Sequence, residues 1–304
     1  MTDALTVTFW GVRGSYPAPG PLTARVGGNT ACVSVRAGKH LIILDAGTGV
    51  IGLGRALIAQ QQMDGKPITA TLLISHTHHD HTQGFPFFTP IYSPSTTLYV
   101  FGPRTLHDDL ERVLSRAMLP PVFPISFDQL PCARVMRNLN EGEAIVMNDG
   151  NGSEPRVLVE QRDDIPSSPE TVLIRVLRSH AHPQGVFVYR IEHGNQSVVY
   201  ATDTEGYANG DQRLIKFVRG ASLLIHDAQY TESEYSNQTM PKQGWGHSTW
   251  QMAVGVAQAA GVQKLVLFHH EPEHNDDILK QLEKDACIAF PSTVLAHEGM
   301  QITL

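Results

Sequence analysis

The densest chemistry in this sequence lies in six consecutive residues. His76-Thr77-His78-His79-Asp80-His81 holds four of the chain's 15 histidines and a carboxylate. Imidazole nitrogen and carboxylate oxygen are the ligands of a borderline cation such as zinc. In an extended stretch, residues two apart point the same way, so His76 and His78 share a side. Asp80 and His81 follow where a helix can begin. Two of these ligands can go to one ion and two to a second. A single His-x-His is ordinarily a solvated polar loop. His-x-His-x-Asp-His directly after an apolar strand is a metal-binding pattern.

The strand that must deliver this cluster is Ala70–Ile74, and sites in α/β proteins sit at such strand ends. Further apolar runs bounded by Gly, Asp, Asn or His predict strands at Thr6–Trp10, Cys32–Val35, Leu41–Leu44, Thr97–Phe101, Val186–Ile191, Val198–Ala201, Ser222–Ile225, Lys264–Phe268 and Thr293–Ala296. Helices are expected at Gly49–Gln62, Leu106–Met118, Thr249–Ala260 and Asp276–Ala286. Ser248 or Thr249 is the cap expected for the third and Asn275 for the fourth. The proline-rich run Pro120–Ser126 and the turn-rich stretches Asn148–Ser153 and Asp163–Ser168 make residues 119–180 the irregular part of the chain. With strands dominating both halves, the expected architecture is two β-sheets with helices outside, in one α/β domain over residues 1–304.

Composition narrows the function classes. Hydrophobic residues make up 41% and charged residues 17%, which excludes a largely disordered chain. No apolar run approaches the ~18 residues of a membrane span, and the start lacks the pattern of a signal peptide. Cys32, Cys132 and Cys287 are odd in number and far apart, a pattern that suits a reducing cytoplasm. With 23 Lys and Arg against 30 Asp and Glu, the net charge of −7 argues against a general nucleic-acid binder.

His-x-His-x-Asp-His resembles the signature of the metallo-β-lactamase superfamily, and the resemblance runs along nearly the whole chain. It implies a four-layer αββα sandwich with a metal site at one sheet edge. Leu44-Asp45-Ala46-Gly47-Thr48-Gly49 looks like the segment whose aspartate hydrogen-bonds the metal loop, and such partners orient ligating imidazoles. His182 of His180-Ala181-His182-Pro183 resembles the third histidine, with His180 as its rival. Asp203, after the strand ending at Ala201, resembles the carboxylate that bridges two cations. His269 resembles the last ligand, with His270 as its rival. The implied first site is His76, His78, His182 and Asp203. The second is Asp80, His81, Asp203 and His269. Two divalent ions are implied, zinc by default, with manganese or iron also suited to N/O ligands.

Two further elements resemble the phosphodiesterase branch, which includes the tRNA 3′-end endonuclease tRNase Z. Asp227-Ala228 and Gly246-His247-Ser248-Thr249 look like its acid-Ala and His-Ser-Thr motifs, with aspartate where the branch pattern has glutamate. The implied roles are His247 as general acid or phosphate-charge stabiliser, Asp227 as its orienting partner, and Asp80 and Asp203 as acids that orient the attacking water while binding metal. Gly11-Val12-Arg13-Gly14-Ser15, Gly27-Gly28-Asn29-Thr30 and Pro120–Pro124 resemble a bacterial subgroup labelled as metal-dependent hydrolases or 3′,5′-cyclic-nucleotide phosphodiesterases. Arg13 suits a fork donor to phosphate or a structural arginine under the site. Phe123, Phe85 and Phe88 suit a base sandwich or core packing. The expected function is dinuclear, hydroxide-driven hydrolysis of a small phosphodiester, a 3′,5′-cyclic nucleotide in first place. The alternatives are tRNA 3′-end processing and thioester, lactone or lactam hydrolysis on the same metal core. Residues 119–180 contain six Arg and no Lys beside nine acidic residues, so no basic arm for RNA is evident. The expected partners are a small substrate, no nucleic acid, no membrane, and a second copy of the chain, since the branch tends to form homodimers.

Overall fold

Alternation of side chains sets the first strand. In β1 (Leu5–Gly11), Leu5, Val7, Phe9 and Gly11 are buried, while Thr6, Thr8 and Trp10 are part-exposed. The computed structural model describes residues 4–104, 108–148, 154–166, 168–206 and 210–304. The first half continues with β2 (Cys32–Ala37), β3 (His40–Leu44), β4 (Ile68–Leu73), β5 (Thr96–Pro103) and β6 (Ala133–Leu139). The second half contributes β7 (Glu143–Asn148), β8 (Arg156–Val159), β9 (Thr171–Ser179), β10 (Val186–His193), β11 (Gln196–Ala201), β12 (Leu223–Asp227), β13 (Leu265–Phe268) and β14 (Thr293–Leu295). The last strand, β15 (Gln301–Thr303), returns to pair with β1.

One sheet has the order β15-β1-β2-β3-β4-β5-β6 and the other β14-β13-β12-β11-β10-β9-β7-β8. Each is antiparallel in one part and parallel in the other: β3 to β6 run parallel in the first, β11 to β14 in the second. Val33, Ile42, Leu44 and Phe9 from one sheet join Tyr189, Tyr200 and Phe268 from the other in a shared core. The helix α1 (Val50–Asp64) sets Leu53 and Leu57 against the outer face of the first sheet with Ile43, Leu72 and Val100. Short turns α2 (His79–Thr82) and α3 (Leu110–Arg116) follow. After α4 (Gln212–Val218) and α5 (Glu232–Tyr235) come α6 (Trp250–Ala260) and α7 (Asp276–Ala289). Leu214, Ala253, Ala257 and Leu279, from α4, α6 and α7, extend the core on the second sheet. The result is the expected helix–sheet–sheet–helix sandwich.

All ten expected strands are present. Thr249 and Asn275 cap α6 and α7 through side-chain oxygens that accept helix N–H groups. The helix expected at Leu106–Met118 begins at Leu110, capped by Asp109, and Leu106 and His107 lie outside the described residues. So do residues 149–153 of the turn-rich stretch Asn148–Ser153, and residue 167 of Asp163–Ser168.

The main correction concerns residues 119–180. Pro120–Ser126 is the expected loop, but the rest is not wholly irregular, since it supplies β6 to β9 and completes both sheets. β6 lies at a sheet edge with a half-exposed, Arg- and Asn-bearing pattern, so its apolar content is low. Within β9, Arg175 and Arg178 interrupt an otherwise apolar run, and Arg175 is neutralised by Glu160 and Glu192 on neighbouring segments. Both strands owe their stability to ladder partners distant in sequence. Cys32, Cys132 and Cys287 are free thiols. Among the described residues, no helix is long and apolar enough to cross a membrane.

Candidate metal centre

The parallel strands converge on one sandwich edge, and their carboxyl ends carry the chemistry. Asp45 follows β3, Ser75 to His81 follow β4, Asp203 follows β11, Asp227 ends β12 and His269 follows β13. Sheet pairing therefore gathers residues up to 224 positions apart. Asp45, Asp203 and His269 all have positive φ, at 61°, 51° and 61°. Non-glycine residues held there carry roughly 1–3 kcal/mol of strain each, which surrounding contacts must offset.

Two donor groups form. His76, His78 and His182 bring one nitrogen each within 4.8 Å of one another. Asp80, His81, Asp203 and His269 do the same with nitrogen and oxygen. Asp203 links the two. Its Oδ2 lies 3.6 Å from His76 Nε2 and 3.9 Å from His182 Nε2, while its Oδ1 lies 3.2 Å from both His81 Nε2 and His269 Nε2. Asp80 Oδ2 is 3.2 Å from His81 Nε2 and 3.1 Å from His269 Nε2.

This donor set fits cations. His81 Nε2 and His269 Nε2 face each other at 3.3 Å, and His182 Nε2 faces His78 Nδ1 at 3.0 Å. Two neutral imidazole nitrogens cannot both be lone-pair acceptors in one contact without a proton or a cation between them. His76 Nε2 is buried with no hydrogen-bond partner, a costly state unless something coordinates it. Burial alone would raise the Asp203 carboxyl, but His269, His81 and His76 outweigh it and hold it well below the usual range. Burial lowers His182 to about 4, so its nitrogen is free of a proton and available as a ligand at neutral pH.

The ligands are held from behind. Asp45 is fully buried and accepts from Ser75 N at 2.7 Å, Ser75 Oγ at 2.8 Å, His81 Nδ1 at 2.7 Å and Tyr200 Oη at 2.9 Å. With Nδ1 donating, His81 turns a bare Nε2 towards Asp80 and Asp203. His269 Nδ1 donates to Gln229 Oε1 at 3.0 Å, and Gln229 Nε2 donates to Glu271 at 2.8 Å, which fixes the amide orientation. His182 Nδ1 lies 3.3 Å from the Gly246 carbonyl. Gly246 has φ +93°, and a Cβ there would fall 2.0 Å from His182 Nδ1. The sequence assigned no supporting role to Gln229, Gly246, Tyr200 or Ser75. Gly246 stands inside the quoted Gly246–Thr249 motif, and Gln229 lies two residues after Asp227.

His247 closes the cluster. Its ring stacks on His269 with centroids 5.0 Å apart and meets His182 edge-on at 5.2 Å. Asp227 Oδ2 accepts from His247 Nδ1 at 2.8 Å, so the shorter aspartate does reach. Asp227 also accepts from the backbone N–H groups of Asp203, Gln229 and Ser248. Burial would lower His247, but the Asp227 carboxylate outweighs it and pushes the imidazole up to about 9. The pair can thus hold a proton beside the donor cluster at neutral pH.

The rival histidines separate. His180 is exposed and belongs to neither donor group, whereas His182 is buried in one. His270 donates Nε2 to the Ala296 carbonyl at 2.9 Å and is turned away from the cluster. At two places where the sequence left a substrate role and a structural role open, the structure selects the structural one. Arg13 is fully buried, and its Nε and Nη1 donate to the carbonyls of Gly27, Glu271 and His274, so it ties loops together, while Nη2 is buried without a partner. Phe85 and Phe88 are core residues, 1% exposed, with Phe85 stacked on Phe127. Phe123 packs edge-on to Phe87 and against the outer core of the first sheet.

Comparison with known proteins agrees with this architecture. A curated relative named Ribonuclease Z, from Thermoplasma acidophilum, is 26% identical over 325 residues, covering 99% of this chain and 97% of the relative. The solved metallo-beta-lactamase fold protein YhfI from Bacillus subtilis superposes with TM-score 0.66 at 20% identity, covering all of both chains. The short form of human tRNase Z superposes with TM-score 0.57 at 21% identity, covering 98% of each. The family described as "Beta-lactamase superfamily domain" matches residues 40–270, the stretch from β3 to the histidine pair after β13. The chain therefore belongs to the beta-lactamase superfamily domain family, as a metal-dependent hydrolase with the metallo-β-lactamase fold.

Proposed function

We propose that this protein hydrolyses a phosphodiester at a centre of two divalent cations. His76, His78 and His182 would hold one and Asp80, His81 and His269 the other, with Asp203 shared. Two cations there would supply Lewis acidity towards the phosphoryl oxygens and acidify a water. The protein's own residues do the rest. Asp203 and Asp80 are held ionised, Asp45 and Gln229 keep the imidazole tautomers in place, and His247 carries a proton for the leaving oxygen with Asp227 behind it. The observation that carries this reading is the 2.8 Å Asp227–His247 pair stacked against the donor cluster. A thioester, lactone or lactam hydrolase would have no evident use for it.

For the substrate, the relatives named Ribonuclease Z, aligned over nearly the whole chain, favour an RNA phosphodiester. This displaces the cyclic nucleotide from first place. The cyclic nucleotide stays as the second reading because of the −7 net charge and the absence of Lys from residues 119–180. Zinc is the metal we favour for this N/O set. The shared core of the two sheets supports a single folding domain, and a homodimer rests on the family resemblance alone. The test presents one preparation, with its metal content measured, with a 3′-extended precursor tRNA, a panel of 3′,5′-cyclic nucleotides, bis-p-nitrophenyl phosphate and a thioester. Cleavage of the tRNA supports the first reading and turnover confined to cyclic nucleotides the second. Turnover of the thioester alone overturns both.

A further inference from the structure

Phe85 and Phe88 are core residues and offer no aromatic platform for a base. A better one lies beside His247. The loop after α5 runs back to His247, and the Glu205 carboxylate grips it on both sides of Trp245. Glu205 accepts from Gly244 N at 2.8 and 3.0 Å and from Gly246 N at 2.9 Å, with Tyr235 Oη donating at 2.7 Å. The grip is tight, since Gly246 also lies against the His182 ring. Between its two anchored neighbours, Trp245 remains 48% exposed. A large apolar ring held in water by an anchored backbone is a contact surface waiting for a partner.

The surroundings of Trp245 indicate that partner's chemistry. Lys242 Nζ lies 4.0 Å from the Trp245 ring centroid and 5.5 Å from that of Tyr230. The Tyr230 ring in turn meets the His247 ring edge-on at 5.9 Å. Lys242 Nζ also lies 3.7 Å from Met240 Sδ, but among the described residues no carboxylate forms an ion pair with it, so the ammonium keeps donors for an anion. The ammonium covers one face of the indole, so a planar ring would stack on the other face or along the exposed edge, and both groups belong to one contiguous cluster that ends on the His247 ring. We propose that Trp245 and Lys242 form the subsite for the nucleotide flanking the scissile phosphate, with its base stacked on Trp245 and its phosphate near Lys242. This rests on the phosphodiesterase reading and deepens it. A base next to the phosphate is common to RNA and to a cyclic nucleotide.

The test is equilibrium binding by calorimetry to the full-length protein, with adenosine 5′-monophosphate and ribose 5-phosphate as probes. Base–aromatic stacking predicts that the nucleotide binds roughly five- to one-hundred-fold more tightly than the sugar phosphate. Trp245→Ala should abolish that preference and Trp245→Phe should keep most of it. Lys242→Ala should weaken both probes alike. Thermal melts check that these surface variants fold. Equal binding of the two probes by the unaltered protein, binding of neither, or an undiminished preference in Trp245→Ala overturns the subsite. Hydrolysis of bis-p-nitrophenyl phosphate on the same preparation reports separately on the activity. If it fails while the Trp245-dependent preference persists, the phosphodiesterase reading falls, and with it the place beside a scissile phosphate, while Trp245 and Lys242 stand as a nucleotide-binding site only.

Discussion

Replacing Asp45 by Asn is the sharpest test of how the centre is held. The change preserves shape and alters only hydrogen-bond polarity. Every contact of Asp45 is with a donor: Ser75 N on Oδ1, and Ser75 Oγ, His81 Nδ1 and Tyr200 Oη on Oδ2, all within 2.9 Å. An amide must turn its own NH2 towards one of these groups. If NH2 takes the Oδ1 place, it opposes the Ser75 N–H, and a buried donor left unsatisfied costs about 1–3 kcal/mol. If NH2 takes the Oδ2 place, His81 must accept at Nδ1 and carry its proton on Nε2. That nitrogen faces Asp80 and Asp203 at 3.2 Å and could then no longer coordinate. Loss of such an outer partner lowers metal affinity about 10- to 100-fold, or roughly 1.4–2.7 kcal/mol. Zinc competition against a chromophoric chelator should show one equivalent retained by the His76, His78 and His182 group and the other weakened by that factor. The metal-free protein should also melt earlier. An Asn variant that holds both equivalents within about threefold of the unaltered protein, with an unchanged melt, would refute the orienting role of Asp45.

Other outcomes follow from the same geometry. His247→Ala should keep its metals and lose over about a hundredfold in diester turnover, the range of general acid–base catalysis; unchanged turnover under metal saturation would remove His247 from the chemistry. Gly246→Ala combines a positive φ with a Cβ 2.0 Å from His182 Nδ1, so metal analysis should find the His182 group depleted, and full occupancy would contradict the geometry. His270 is buried and lowered to about 3 by burial. Its folded value lies below its unfolded one, so the stability it contributes is present above about pH 6.5 and is lost as pH falls towards 3, about 2 kcal/mol by pH 5. In metal-free protein, His270→Gln should therefore lose less melting temperature between pH 7 and pH 5 than the unaltered chain. Parallel curves would exclude this titration.

Much of this protein was readable along the chain because its strands end in chemistry. A buried parallel strand is a short apolar run, and the residue that breaks the run stands at the sheet edge; Ile74 before His76 and Ala201 before Asp203 show this. Local pattern was therefore enough to locate ten of the fifteen described strands, the helix caps at Thr249 and Asn275 and the His76–His81 cluster, and to suggest the superfamily. It was not enough for β6 to β9, whose Arg, Asn and Glu residues are satisfied by partners on other segments. Nor could it choose between His180 and His182 or between His269 and His270, because neighbours in sequence differ only in the direction the turn gives them. The roles of Arg13, Phe85 and Phe88 also depended on what filled the space around them: carbonyls from residues 27, 271 and 274 for the arginine, and the core of the first sheet for the phenylalanines. The sequence by itself determined which side chains stand at strand ends, since that follows from local periodicity. Tertiary structure alone decided which of them face one another, since donor convergence at Asp203 requires two sheets to pack and bring together residues from 76 to 269.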